Sequence, residues 1–451
     1  MEQASSLQIT PIQQSDRIQS LDVMRGIVLC GILLMNINSF GLANSYNDPT
    51  VAGGFTGWNL YTWITTNMFF EGTMRGLFSL LFGVGMFIFL DRLTKRGAGI
   101  KAADIFFRRL IWLLVFGLIH GYLLLWTGEI LYDYALMGFL VYSFRNMAPK
   151  KLIVAASVLV LGGMIWNYSD FRASEKLVAD VSLIDSYKAE NKELTKELEE
   201  SQTKWEKFQE ERSPEFIAEF NSSMQKGYFD VVSFLAPINL HFDTWMSYRY
   251  GLWDVLSMML VGIALFKLNI LSGDKSLGFY GKMAAIGYLI GISINYYELQ
   301  VVLNGQFSPV AIAKSNLTYD LGRIATSMGH IGLIMLFSKS NFLIWLKSSL
   351  ASVGKMALTN YIMHSVICMI VFTGVGFGLF GKLQRYELLY VVFPIWIFQL
   401  ILSPIWLRYF HYGPLEWLWR NLSYRKVHSF RKESPQPILS NGNLDPLNTS
   451  N

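Results

Sequence analysis

The sequence predicts an all-α fold: a polytopic membrane helix bundle of about ten transmembrane helices, with a helical insertion on the outer side and both termini cytoplasmic. Three observations predict it. Of the 451 residues 52% are hydrophobic and 16% charged, which is more apolar than an ordinary soluble domain. Apolar runs recur along most of the length, and about 20 such residues in a helix cross about 30 Å of hydrocarbon. Lys and Arg gather in alternate loops, the pattern that orients a multi-pass chain.

Ten spans follow in order, at about 24–42, 74–91, 109–126, 129–144, 152–168, 253–268, 283–298, 321–338, 355–378 and 387–407. The N-terminal "MEQASSLQITPIQQSDRIQS" is polar and lacks the features of a signal peptide, so the first span is read as retained. A helix over 58–92 would measure roughly 50 Å, too long for one crossing. Gly72 is the expected break, with 58–70 at the interface and the crossing beginning near Thr73.

Basic loops carry Arg92, Lys95, Arg96, Lys101, Arg108 and Arg109, then Arg145, Lys150 and Lys151, and later Lys267, Lys275, Lys282, Lys339 and Lys347. Residues 44–58 have no Lys or Arg, and 299–320 only Lys314. These loops put both termini on the cytoplasmic side of the membrane. The formal charge of +5 is therefore no nucleic-acid footprint, because the cations sit at segment ends. Two cysteines in apolar runs, Cys30 and Cys368, build neither a disulfide framework nor a thiolate metal site.

Four divisions result. Residues 1–170 form a five-span half bundle, and 251–425 a second half. Between them 171–250 is charged and rich in helix formers, with Glu and Lys at helical spacing, a solvated helix or hairpin. It either caps an external site or is an insertion without chemistry. Residues 426–451 read as a disordered cytoplasmic tail.

Ionisable groups inside apolar spans are costly and often mark function. Asp22 and Arg25 share a face at the start of the first span, with Asn36 nearer its outer end. Glu71 and Arg75 lie four apart beside Gly72, where Arg75 needs a partner and Glu71 is nearest. In "GLIHGYLLLWTGEILYDYALMG" His120 lies about 16 Å beyond Arg109 along a helix, and Glu129 and Asp133 share a face of the returning helix. A His beside a carboxylate is the equipment of a general base; the plain alternative is a hydrogen-bonded core histidine. Arg323, His330 and His364, with His241, Asp243, Arg249 and Asp254, complete the set.

The stretches "LDVMRGIVLCGILLMNI", "LFSLLFGVGMF", "GLIHGYLLLWTGEILYDYALMG", "ALTNYIMHSVICMIVF" and "RYFHYGPLEWLWRNLSY" together resemble the YeiB-like bacterial membrane proteins, the family of domain of unknown function 418. The likeness covers nearly the whole chain outside 171–230 and the ends. Through Leu21, Asp22, Arg25, Gly26 and Asn36 that family looks like a distant branch of the transmembrane acyltransferases of heparan-glucosaminide type. The resemblance implies a bundle enclosing a tunnel, entered from the cytoplasm by acyl-CoA. In those relatives a His acts as base or acyl carrier and lies between the first two spans. Residues 44–75 contain none here, so His120 is assigned that part on this chain's own pattern.

The leading expectation is thus an acyltransferase moving an acyl group from acyl-CoA, acetyl-CoA for example, to a hydroxyl or amine of a small-molecule, glycan or lipid acceptor. No tightly bound cofactor or metal is expected. His120, Glu129 and Asp133 are the expected catalytic set, Arg92, Arg108 and Arg109 the cofactor contacts. Asp22, Arg25, Asn36, Glu71, Arg75, Arg323, His330 and His364 are the expected tunnel lining. A homodimer fits as well. The competing expectations are a proton-coupled transporter of a small solute and a non-enzymatic scaffold or sensor.

Overall fold

A computed structural model describes residues 18–45 and 48–432. The signal-peptide reading of the N-terminal stretch and the tail beyond 432 lie outside the described residues. The described chain is helical, with a single isolated bridge between Phe410 and Arg431.

The first half comprises α1 (Gln19–Gly41), α2 (Trp58–Phe69), α3 (Thr73–Lys95), α4 (Ile100–Leu123), α5 (Leu131–Phe144) and α6 (Pro149–Ala189). Gly72 separates α2 from α3 at φ +65, a conformation that favours glycine, and a methyl group there would run into the Tyr319 hydroxyl. Next come α7 (Lys196–Glu210), α8 (Pro214–Met224) and α9 (Tyr228–His241). α9 continues through two π-helical turns, Phe242–Met246 and Gly251–Leu256, flanking α10 (Ser247–Tyr250), into α11 (Ser257–Lys267). The remainder is α12 (Leu277–Asn304), α13 (Pro309–Ser315), α14 (Tyr319–Lys339), α15 (Ile344–Lys355), α16 (Ala357–Phe372), α17 (Leu389–Tyr409) and α18 (Pro414–Tyr424).

The chain is a polytopic helical bundle. Among the described residues seven helical runs are long and apolar enough to cross a membrane, and α15 with α16, bent by 84° at Met356, makes an eighth if counted as one span. Those eight match eight of the ten expected spans. The other two are α4 and α5. α5 has 14 residues, about 21 Å of helix, short of a full crossing. Its partner α4 carries Lys101, Asp104, Arg108 and Arg109 in its first half. Large apolar side chains on α6, α12 and α17, such as Val154, Ile165, Leu289 and Ile401, are exposed, as a lipid-facing surface requires. Inside, Met24, Val28, Leu77, Leu80, Met259 and Ile331 pack one core around α1, α3 and α11.

The insertion is a hairpin. α7 folds back along the end of the 41-residue α6, joined by Lys176 to Glu197 and by the Ser201 hydroxyl to Asp180, 2.6 Å. Its expected end at 250 is corrected. Residues 228–267 form one apolar helical run, and Asp243, Arg249 and Asp254 only interrupt the hydropathy. Arg249, 4% exposed, pairs with Asp170 at 2.6 Å and covers the Trp166 ring. The disordered tail expected from 426 also begins too early. Residues 426–432 pack back on the α17–α18 corner: Lys432 Nζ donates to the Leu407 carbonyl, and Phe430 stacks near Phe410 and Trp417.

Candidate functional site

The turn between α4 and α5 builds the centre of the site. α4 delivers His120 in its last turn, wholly buried. Asn239 of α9 pins that turn by donating to the Gly121 carbonyl, 2.8 Å. Glu129 precedes α5, and its Oε1 accepts from the Leu131 amide. A carboxylate is favoured there by the unpaired amides and positive dipole end of the helix. Its Oε2 meets His120 Nδ1. In the tautomer whose Nδ1–H donates to that carboxylate, Nε2 is left as an acceptor. Nε2 lies 2.6 Å from Ser365 Oγ. Ser365 is itself buried, and it completes an acid, imidazole and hydroxyl in series, the arrangement that activates a nucleophile.

Ser365 owes its position to the sharp bend before α16. At that bend Asn360 Nδ2 donates to the Val353 carbonyl and to Ser403 Oγ, at 3.2 and 3.0 Å. Glu416 of α18 caps α16: its carboxylate accepts from the Leu358 and Thr359 amides at 2.7 and 3.1 Å and from the Thr359 hydroxyl, 2.5 Å. Burial pushes the Glu416 carboxyl up from the ordinary range, against these hydrogen bonds. The "ALTNYIMHSV" and "HYGPLEW" stretches therefore meet in space.

Two cavities approach this series from opposite ends of α16. The first, of about 280 Å³, is lined by the cations Arg25, Arg92, Arg109, Lys355 and Arg420 and by the acids Asp22 and Glu416. Its wall also carries the apolar Phe78, Phe82, Leu113 and Leu131, together with Tyr134 and Tyr361. The second, of about 230 Å³, has no charged residue in its wall. Phe40, Leu42 and Trp126 line it from the bundle, Phe220, Met224 and Leu235 from α8 and α9, and Ser365 from α16. The insertion thus covers part of this neutral cavity. Tyr361 and Ser365 are one helical turn apart on α16, about 6 Å of rise. His120 stands between them, its ring edge-on to Tyr361 with centroids 5.0 Å apart.

The other predicted residues divide. Asp22 and Arg25 pair at 2.9 Å on the basic cavity. Arg92 and Arg109 also line it, and Arg109 lies 3.4 Å from the centre of the Trp419 ring. Arg108 points elsewhere, to Asp104 and to the Ser423 carbonyl. Asp133 faces Ser247 at the π-helical turns, not His120. Arg75 pairs with Asp254 at 3.1 Å and donates to the Tyr319 hydroxyl at 3.1 Å; Glu71, its expected partner, also interacts with it electrostatically. Arg323 joins Asp254 and, at 2.8 Å, Asp320. These groups form a packed ion cluster apart from both cavities. His330 bridges Tyr288 and the Phe69 carbonyl, each at 2.9 Å, tying α12 and α14 to α2. His364 bonds Gln399, 3.0 Å. Asn36 is half-buried on α1 and lines neither cavity.

Sequence reasoning missed Ser365, Tyr361 and Trp126. A serine in an apolar helix is common, and the nearby His364 drew the attention. The one available signal was the i, i+4 spacing of Tyr361 and Ser365 on a helix that also carries histidine. Among the described residues no group of three or more His, Cys, Asp or Glu is arranged to hold a metal ion.

Residues 265–426 match the family described as "Protein of unknown function (DUF418)". The chain is 32% identical over 423 residues to "Uncharacterized protein YeiB" of Escherichia coli (strain K12), covering 91% of this chain and 97% of that one. It is 27% identical to "Uncharacterized protein YxaH" of Bacillus subtilis (strain 168), covering 95% and 99%. No solved structure matches it significantly.

Proposed function

From the premise that the chain belongs to the YeiB-like DUF418 family, we propose that it is a multi-pass protein of the bacterial cytoplasmic membrane that transfers an acyl group from a CoA thioester to a hydroxyl or amine acceptor. One observation carries this reading: Glu129, His120 and Ser365 stand in series between a cation-lined cavity and a neutral one, separated by a single turn of α16.

The basic loops support a cytoplasmic mouth for the cation-lined cavity. Its five cations suit the phosphates of CoA, and its apolar wall residues suit the pantetheine arm. The thioester carbonyl reaches Ser365 past Tyr361. As Ser365 Oγ attacks, His120 Nε2 takes its proton and Glu129 holds the imidazolium. The C–S bond breaks, the proton passes from His120 to the departing thiolate, and an acyl-serine remains. An acceptor hydroxyl or amine in the neutral cavity then loses its proton to His120 and attacks the ester. Ser365 leaves with that proton restored. The uncharged wall of this cavity suits a neutral acceptor group.

The test incubates the purified full-length protein in detergent with acetyl-CoA, following thiol release and peptide masses. The expected result is an acetyl group on Ser365, lost in Ser365→Ala and in His120→Ala. Either variant, correctly folded and turning over at the original rate, overturns the reading.

A transport reading draws on a different observation, the buried cluster of Arg75, Asp254, Asp320 and Arg323, since intramembrane ion pairs also occur in proton relays. Reconstituted vesicles separate the two: solute uptake driven by a pH gradient and independent of CoA favours transport.

A further inference from the structure

Two buried hydrogen-bond donors beside Ser365 have no role in the relay. Trp126 and Tyr361 are each only 2% exposed, yet neither the indole Nε1 nor the phenol oxygen has a hydrogen-bond partner. The two groups approach one another, and the phenol also nears the backbone of Ile130, without closing a bond of normal geometry. Leaving such groups unpaired in a packed interior costs free energy. Packing alone does not ask for them. Trp126 stacks on Phe40 with centroids 3.8 Å apart, and Tyr361 packs against His120 and Phe78. A phenylalanine ring makes the same kinds of contact and leaves no donor stranded.

Their placement gives the cost a use. Trp126 shares the wall of the neutral cavity with Ser365, and Tyr361 lines the basic cavity one turn earlier on the same helix. A carbonyl set against Ser365 Oγ from the neutral cavity lies beside Trp126 and about one turn of α16 from Tyr361. We infer that Trp126 Nε1–H and Tyr361 O–H form the oxyanion-stabilising pair of the site, catalytic residues that bind the carbonyl oxygen as it gains charge. This rests on the acyl-transfer reading proposed above. In the addition step the Ser365 oxygen bonds to the thioester carbon, and the carbonyl π pair moves onto oxygen and is held by the two donors. It returns to re-form the C=O as the C–S bond breaks. Donors fixed in advance where charge develops, in a site closed to water, act mainly on the transition state and little on ground-state binding.

The experiment uses full-length Tyr361→Phe, Trp126→Phe and Ser365→Ala proteins, mixed with acetyl-CoA and quenched at intervals. It reads the rate of acetyl-enzyme formation at saturation, the half-saturating concentration and the melting temperature. Each Phe variant is expected to label about 10²- to 10³-fold more slowly at saturation, with half-saturation little changed. Tyr361→Phe, which deletes only the hydroxyl, is expected to melt no lower than the parent, because an unpaired buried donor has been removed. A merely structural tyrosine hydroxyl would show the reverse: a lower melting point and an unaltered labelling rate. Labelling of both Phe variants at the parental rate, with Ser365→Ala unlabelled, overturns this inference and leaves the acyl-serine reading standing. A parent protein that never labels, or Ser365→Ala labelling as fast as the parent, overturns that reading and this inference with it.

Discussion

Two buried clusters of ionisable residues lie inside the bundle, and they are built on different terms. Around Asp254, two arginines and two carboxylates neutralise one another at contact distance: Arg75 at 3.1 Å, Arg323 in direct contact, and Asp320 beside Arg323 at 2.8 Å. Around His120, a single carboxylate, one imidazole and one hydroxyl form a directed series whose last member borders a cavity. Both sets look alike in sequence, as charges misplaced in apolar helices. The difference teaches that buried charge alone does not identify a reaction centre. What distinguishes the His120 group is a terminal hydroxyl that borders a cavity and spends its hydrogen bond on a base, with a second cavity reaching Tyr361 one helical turn away.

That comparison can be broken most decisively at Ser365. Ser365→Ala and His120→Ala are each expected to cut acetyl transfer by about 10³-fold or more, Ser365→Ala with a melting temperature near the parent value; quenched-flow labelling and differential scanning measure the two properties separately. The ion cluster should behave in the opposite way. Asp254→Ala strips the buried Arg323 and the partly exposed Arg75 of a shared partner, and losing one member of a buried pair costs about 3–5 kcal/mol. Denaturant titration in detergent checks this, and an unchanged midpoint would mean that water already compensates these arginines. A subtler expectation concerns the basic cavity. Arg92→Gln removes one cation from its wall and should raise the half-saturating acetyl-CoA concentration by roughly tenfold, about 1.4 kcal/mol. The saturated rate should stay put, and the defect should shrink as salt is added to both proteins. The smallest effect belongs to the surface of the insertion. Lys176→Ala breaks the exposed pair with Glu197 and should leave melting and labelling unaltered, because solvent screens such pairs.

Much of the fold was legible because lipid imposes strong rules on composition. Eight of the ten expected spans correspond to helices able to cross a membrane, and the break at Gly72 follows from a helix too long for one crossing. The misplaced end of the insertion has a physical cause. Residues 228–250 were assigned to the insertion because His241, Asp243 and Arg249 lowered the local hydropathy. Their partners, Asp170 for Arg249 among them, lie far away in the chain and make the charges tolerable in the bundle. Likewise Glu71, the neighbour of Arg75 on the helix, does act on it electrostatically, but the structure adds Asp254 from across the bundle.

The site divides in the same way. His120 and Glu129 are nine residues apart around one tight turn, so local geometry brings them together and the chain's own pattern announced them. Ser365 is 245 residues from His120, and Glu416, which caps the helix carrying it, is 58 residues from Leu358. No periodicity links such positions. Composition and spacing determined that the chain is a helical membrane bundle holding costly polar groups, because the solvation cost of each group is felt residue by residue. Which groups meet, and which meet beside a cavity, was decided only by packing, because hydrogen-bond partners and empty volume are properties of several helices at once.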